Sequence, residues 1–185
     1  IYELGFMVYG FGFFFTQPFL QDFCERDLRL SYEQMAYALP VQQLVTVAAS
    51  QFFGRLLDRW RAARTAALAF AILPAYALAF ASAHGPGMVA VGYVCLGAAM
   101  AGVNVCWTLG TVEFAGREDS ARFMGVHAAC VGVRTLLAPL CAYLLQAAFH
   151  DNARVPFAVA ALFFAAAVVI MWRLARRMEA TARAT

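Results

Sequence analysis

Long apolar stretches, separated by short charged turns, divide the chain into six segments. Each segment is about as long as the roughly 20 residues that a helix needs to cross the hydrocarbon core of a bilayer. The pattern therefore predicts an all-α, polytopic membrane protein whose residues 1–185 form a single bundle of six transmembrane helices. The predicted spans are residues 3–21, 31–57, 65–83, 88–114, 123–149 and 155–172, followed by a cytoplasmic tail at 173–185.

Composition supports a membrane protein and narrows the function. The 185 residues are 63% hydrophobic and 14% charged, whereas charged residues make up about a quarter of a soluble domain. The basic residues gather in particular loops rather than on one surface, so nucleic acid is not an expected partner. The five cysteines have neither metal-site nor disulfide spacing, and no cofactor is expected. Motifs of intramembrane serine proteases and zinc hydrolases are missing from the sequence, so an enzyme is not expected either.

Arginine distribution predicts the orientation. The loop at 54–64, the loop at 117–122 and the tail together hold ten arginines, against three in the connections of the opposite side. Basic loops stay on the cytoplasmic side, so both termini should be cytoplasmic, and the expected location is a bacterial cytoplasmic (inner) membrane. Ser31 and Asn152 are predicted helix caps. The chain starts in a helical pattern without Met, which indicates a piece of a longer protein.

Polar side chains within the spans are the candidate solute contacts. Arg134 lies near mid-bilayer, where a charge is costly unless it faces water or a partner. It is interpreted as a binding residue for an anionic or carboxylate-bearing solute, or else as an arginine held by helix carbonyls or by an acidic residue of a missing half. Interhelical hydrogen bonds would explain the other candidates equally well; these are Gln42, Gln43, Asn104 and Thr108.

His127 is the candidate for proton coupling, because imidazole titrates near neutral pH. It lies about four residues from the cytoplasmic end of its span. Because a helix rises 1.5 Å per residue, this position is close to the membrane interface. A hydrated interfacial histidine is therefore the alternative interpretation.

The charged loop between the second and third spans resembles a known signature. Gly54, Asp58 and Arg59 match the Gly-x-x-x-Asp-Arg-x-Gly-Arg-Arg loop of major facilitator superfamily transporters, with Arg61 where the second glycine would stand. Further residues resemble the Glu-to-Arg loop and the Gly/Arg/Pro-rich eleventh helix of that family: Trp107, Glu113, Arg122, Gly125, His127, Gly132, Arg134 and Pro139.

The resemblance implies one half of a twelve-helix transporter. The polar tail, with no long loop after the sixth span, favours the C-terminal half. Spans one, two, four and five would then line the cavity, and spans three and six would face lipid. The implied partners are membrane lipid, a small-molecule solute, and the missing N-terminal six-helix half or a second copy.

The same resemblance implies a function and a gate. The function would be secondary active transport of a small solute by alternating access; the alternative is a non-transporting membrane scaffold that keeps the fold. The gate would be a cytoplasmic charge cluster that pairs in one state and separates in the other, as opposed to a solvated basic loop. Its members would be Gly54, Arg55, Asp58, Arg59, Glu113 and Arg122.

Overall fold

Helices account for the architecture, which confirms the all-α prediction. The structure is a computed structural model that describes residues 1–184, without the side chains of residues 111, 116–120 and 182–184. The part of the chain so described contains no β-strand. Its elements are α1 (Tyr2–Asp22), a π-helical turn (Phe23–Asp27), α2 (Tyr32–Ala36), α3 (Ala38–Ala81), α4 (Pro86–Ala148) and α5 (Arg154–Ala184).

The predicted caps are confirmed. The Gln34 amide N–H donates to Ser31 Oγ at 3.3 Å, and the Ser31 N–H donates to Gln34 Oε1 at 2.9 Å. This capping box satisfies two backbone donors at the start of α2. At α5, the Arg154 N–H donates to Asn152 Oδ1 at 3.0 Å. Both caps depend on residues within three positions of each other, which is why the sequence predicts them.

The charged loop at 54–64 is much tighter than predicted. α3 is helical on both sides of Arg61, whose φ of 66° and ψ of 165° break the helix. A Cβ at Gly102 would lie 2.6 Å from atoms of both Phe53 and Ala69. In one straight helix those two residues would be about 24 Å apart. The chain therefore reverses at Arg61, and α3 is a hairpin with arms at 38–60 and 62–81.

α4 also folds back on itself. The rings of Trp107 and His127 lie 4.0 Å apart, although twenty residues of straight helix would separate them by about 30 Å. The chain therefore reverses between Trp107 and His127, and its two arms include the apolar segments at 86–115 and 121–148. Both arms pack against α1, the first antiparallel to it and the second parallel.

Among the residues that the structure describes, four segments are long and apolar enough to cross a membrane: Tyr32–Ala81, Pro86–Ala115, Ala121–Ala148 and Arg154–Thr181. Six crossings require the first of these to cross twice, with its turn at Arg61, and α1 to cross as well. α1 is 21 residues long but is not among these four segments. The count of six stays a prediction.

The arm at 62–81 lies in the core, so the prediction that it faces lipid was wrong. Its Phe70 ring stacks on Tyr9 of α1 at 4.7 Å, and its Phe80 ring stacks on Phe157 of α5 at 5.2 Å. Alanines on the same arm, such as Ala66 and Ala77, are fully buried. Small residues let helix backbones approach closely within membranes. An alanine-rich apolar helix is therefore as suitable for the core as for lipid.

α5 presents one face to the core and one outward. Phe157, Phe164 and Met171, spaced seven residues apart, are buried, whereas Leu162 is 70% exposed. Close contact with α1 is possible because Gly5 of α1 meets Met171 and Gly12 meets Phe163. The outward apolar face agrees with the predicted lipid contact of span six. The predicted tail is helical, since α5 runs on to Ala184.

Candidate functional site

Arg134 is buried against α1. Its side chain is 2% exposed, and Nη1 donates a hydrogen bond to the Phe6 carbonyl oxygen. A Cβ at Gly10 would overlap the guanidinium carbon, so the glycine leaves the space that the side chain occupies. The helix-carbonyl contact is one of the two interpretations that the sequence left open. It accounts for only part of the guanidinium, because Nε has no partner among the described residues.

Aromatic rings surround the Arg134 guanidinium. Its central carbon lies 5.7 Å from the ring centre of Tyr9, 5.9 Å from that of Phe14 and 5.6 Å from that of Trp107. Ring faces attract a cation, and the attraction grows when water is excluded. The rings hold the charge in place without neutralising it.

A cavity of 360 Å³ opens beside Arg134, and we call it the arginine cavity. Asn104 and Thr108 line it with Arg134, so three of the five predicted solute contacts meet there. Tyr9, Phe13 and Trp107 contribute its aromatic wall. Thr108 Oγ1 donates to the Asn104 carbonyl oxygen at 3.2 Å. The cavity thus combines one cation with a mostly apolar and aromatic lining.

Gln42 and Gln43 line a second cavity, of 490 Å³, which we call the glutamine cavity. Gln17 and Tyr93 add further polar groups to its wall. Phe13 lines this cavity as well as the arginine cavity, so its ring separates the two. The structure therefore divides the predicted solute contacts between two neighbouring spaces of different chemistry.

His127 pairs with a residue that sequence analysis did not select. Its Nδ1 lies 2.5 Å from Glu3 Oε2, and its side chain is 1% exposed. The Trp107 ring stands perpendicular to the imidazole, and the Phe6 ring lies 5.3 Å from it. The histidine is thus buried rather than hydrated. Glu3 was identifiable as an acidic residue at the start of an aromatic span, but its partner is 124 residues away.

Buried polar atoms that lack a hydrogen-bond partner among the described residues concentrate in Glu3, His127 and Arg134. Four buried side-chain nitrogen or oxygen atoms of the described residues have no hydrogen-bond partner, and three belong to Glu3 (Oε1), His127 (Nε2) and Arg134 (Nε). The fourth is Gln17 Nε2 in the glutamine cavity. Each such atom costs about 1–3 kcal/mol, so a concentration of them needs a reason other than stability. We call Glu3, His127 and Arg134 the buried polar cluster.

Glu113 is bound at the turn of α3 at Arg61, which we call the α3 elbow. Its Oε1 accepts a hydrogen bond from Arg61 Nε at 2.8 Å, and its Oε2 accepts one from the Ala62 N–H at 2.8 Å. The carboxylate therefore caps the helical arm that starts at Ala62, where negative charge is favourable. Glu113 was a predicted gate residue, whereas its partner Arg61 was missed. The departure from glycine in the loop signature was the signal that could have identified Arg61.

The other predicted gate residues do not meet one another here. Arg55, Asp58, Arg59 and Arg122 are exposed, and none has an ion partner among the side chains that the structure describes. A Cβ at Gly54 would have no heavy atom within 4 Å.

Comparison with known proteins was informative at the level of the family. A family model described as Major Facilitator Superfamily matches residues 3–185. That range includes every residue of the buried polar cluster, of the two cavities and of the α3 elbow. No curated protein matches the chain.

Proposed function

Because the chain belongs to the Major Facilitator Superfamily, whose members are membrane transporters, we propose that it forms part of a secondary transporter moving a small solute by alternating access. The solute is an organic anion with an apolar or aromatic body. The single observation that carries this choice is Arg134, a buried cation beside the 360 Å³ arginine cavity, whose Nε has no hydrogen-bond partner within the described part of the chain.

The chemistry of the arginine cavity supports that solute class. A buried charge is tolerated when an opposite charge binds it, and guanidinium matches a carboxylate in geometry. The surrounding rings favour an apolar body next to the charged group. Asn104 and Thr108 supply polar contacts on the same wall. Gln42 and Gln43 contact the solute in the glutamine cavity, on the far side of Phe13.

Exposed apolar surface supports a larger assembly. Leu44 and Val47 on the arm at 38–60, and Leu136 and Leu144 on the arm at 121–148, are each at least 65% exposed. An apolar surface of that kind needs lipid or protein against it. In the proposal the chain is the C-terminal half of a twelve-helix transporter, with six crossings. The N-terminal half or a second copy covers these arms, in a bacterial inner membrane with both termini cytoplasmic.

A charge cluster at the α3 elbow acts as the cytoplasmic gate in this proposal. Glu113 already holds Arg61 and the helix that starts at Ala62, which supports a role in keeping the elbow rigid. Asp58 and Arg59 remain exposed on the adjoining helical turn and can pair with the opposite half. Their pairing would favour one of the two transport states.

The test is uptake by vesicles that contain the full-length transporter. Arg134→Gln should lower uptake of radiolabelled benzoate about tenfold or more, because the anion loses its charged partner. Arg26→Gln is the matched control, since Arg26 is exposed and its ion pair with Asp22 should contribute little. Equal uptake by the parent and Arg134→Gln would refute the anion site. A folded parent that moves no solute from a panel of small carboxylates would instead favour the scaffold.

A further inference from the structure

We propose that the tail end of α5 binds the headgroup of an anionic phospholipid through Arg173, Arg176 and Arg177, whose exposed side we call the arginine face. The lipid belongs to the leaflet on the side of the tail, which is the cytoplasmic leaflet in the orientation proposed above. This inference does not need a solute at Arg134. It needs only that α5 crosses the bilayer, as the apolar segment Arg154–Thr181 allows.

The length of α5 places the arginine face at the level of the headgroups. Arg173 follows Arg154 by nineteen positions with no charged residue between them, and that much helix is about 28 Å long. The length matches the roughly 30 Å of the hydrocarbon core. Arg154 is fixed at the far end, because its guanidinium donates to two carbonyl oxygens at the end of α3 at 2.8 and 2.7 Å. Arg173 therefore lies where the hydrocarbon ends, with Arg176 and Arg177 about 4–6 Å beyond it.

The arginine face continues the side of α5 that points away from the bundle. Leu162 is 70% exposed and Val169 is 47% exposed. Arg173 and Arg176 follow Leu162 by about three and four helical turns, so these four residues share one side of the helix. Trp172, which is 47% exposed, lies where the apolar part meets the basic part. This order of apolar, aromatic and basic side chains matches the order of acyl chain, interface and headgroup in one leaflet.

Another side of the tail packs on the α3 elbow and fixes its rotation. Arg64 Nη1 donates a hydrogen bond to Glu179 Oε1 at 3.2 Å. The guanidinium carbon of Arg64 lies 4.6 Å from the ring centre of Trp60 and 5.9 Å from that of Trp172. Met178 lines the cavity of 80 Å³ between the tail and the elbow. Because these contacts hold one side of the helix against the bundle, the arginine face points outward.

Charge makes an anionic headgroup the occupant that fits this face. Glu179 is the one acidic residue of the tail, and its carboxylate is already paired with Arg64. None of the three arginines has an ion partner among the side chains that the structure describes. Side chains three and four residues apart on a helix are neighbours, so the three positive charges repel one another. A phosphate group relieves that repulsion, and each arginine at an anionic membrane surface adds to the attraction.

The other half of the transporter does not compete for this surface in the proposal. The arms that it covers are at 38–60 and 121–148, and neither belongs to α5. Lipid is therefore the neighbour that remains for the outward side of α5, and the charge of the arginine face selects among lipids.

The experiment measures how strongly brominated phospholipids quench the fluorescence of Trp172. The full-length transporter is reconstituted into phosphatidylcholine vesicles with brominated phosphatidylglycerol or, at the same fraction, brominated phosphatidylcholine. Subtracting the signal of the matching Trp172→Phe protein isolates Trp172 from every other tryptophan. The ratio of the two quenching strengths gives the lipid preference beside the arginine face. The parent should prefer the anionic lipid about tenfold, as several arginines at the surface predict.

Paired substitutions test the arginines themselves. Arg173→Gln with Arg176→Gln should lower the preference to about twofold or less, whereas lysine at both positions should keep most of it. Arg26→Gln with Arg29→Gln is the matched control, because it removes the same charge from exposed positions at the other end of the bundle. Quenching by brominated phosphatidylcholine should be equal in all these proteins, which shows that α5 keeps its place. An unchanged preference in the glutamine variant would overturn the proposal.

Two measurements on the parent need no variant at these positions. Raising the salt from about 0.1 M to about 1 M should lower the preference severalfold, because the Debye length falls from about 10 Å to about 3 Å. A preference that salt does not change overturns the headgroup site. Excess glycerol phosphate should not relieve the quenching, and relief would show a site for a free phosphate instead of a lipid. A Trp172 that brominated phosphatidylcholine does not quench would show that protein covers this face, either the other half or a second copy, and would also overturn the proposal.

Discussion

The packing of Arg134 against Gly10 can be tested with two glycine-to-alanine substitutions. Gly10 and Gly54 both lie inside helices, α1 and α3. A Cβ at Gly10 would overlap the Arg134 guanidinium, whereas one at Gly54 would meet no heavy atom within 4 Å. Gly54→Ala is therefore a matched control that changes helix propensity without changing packing.

The two substitutions should change the free energy of unfolding in opposite directions. Either alanine gains about 1 kcal/mol of helix propensity over glycine. Gly10→Ala additionally expels the guanidinium from its bond to the Phe6 carbonyl, which as a charge-assisted bond contributes about 1.5–3 kcal/mol. Contacts of the cation with the rings around it contribute about 0.5–2 kcal/mol more. The net result is a loss of about 1–4 kcal/mol for Gly10→Ala against a gain of about 1 kcal/mol for Gly54→Ala.

The assay is the free energy of unfolding of the purified protein in mixed detergent micelles. A double-mutant cycle with Arg134→Leu isolates the contact, because Gly10→Ala should no longer destabilise once the guanidinium is gone. The interaction energy in the cycle should be about 2–5 kcal/mol, which is the hydrogen-bond and ring contributions together. Equal destabilisation by Gly10→Ala with and without Arg134 would show that the two residues do not touch.

Three further substitutions test the rest of the fold by the same measurement. Arg61→Gly should stabilise the protein by about 1 kcal/mol, because relief of the positive φ outweighs the loss of an exposed ion pair. Arg59→Gly, in regular helix, should destabilise it by about 1 kcal/mol, and the reverse order would contradict a strained backbone at Arg61. Arg154→Leu removes the donors to the carbonyls of Ala81 and Ala83 at the end of α3, so it should cost about 2 kcal/mol and speed amide exchange there. Unchanged exchange would contradict a role for Arg154 in capping that helix end. Thr16 Oγ1 donates to the Phe13 carbonyl oxygen, so the Tyr76 hydroxyl is the donor to Thr16. Thr16→Val should therefore cost about 2 kcal/mol because it leaves the buried Tyr76 donor unpaired, whereas Tyr76→Phe should cost about 1 kcal/mol. Equal costs would contradict Tyr76 as the donor.

Sequence patterns predicted the features whose cause is local. Ser31 and Gln34 are three residues apart, so the capping box can be read without knowing the fold. The turn at the charged loop also follows from local residues, although its tightness does not. Arg61 occupies the position where the loop signature has glycine, and it adopts the positive φ that glycine would adopt without strain. Glu113 compensates by binding both Arg61 and the next N–H.

Features that depend on distant residues were missed or wrong. Nothing within a few residues of Glu3 indicates that its partner is His127, 124 positions away. The arm at 62–81 was assigned to lipid because it lacks polar residues. In a soluble protein, a helix shows its buried face by contrast with a polar one. Inside a bilayer that contrast disappears, so hydrophobicity alone does not distinguish core from lipid contact.

Buried polar atoms without a hydrogen-bond partner mark the proposed site, which hydrophobicity does not indicate. A bilayer supplies no water to a stray donor or acceptor, so a polar atom left alone there is disfavoured more strongly than an apolar face turned the wrong way. Gln17 in the glutamine cavity has one such atom, and the other three described belong to Glu3, His127 and Arg134. If the buried polar cluster served only to join α1 to α4, apolar residues of similar size would do so at less cost.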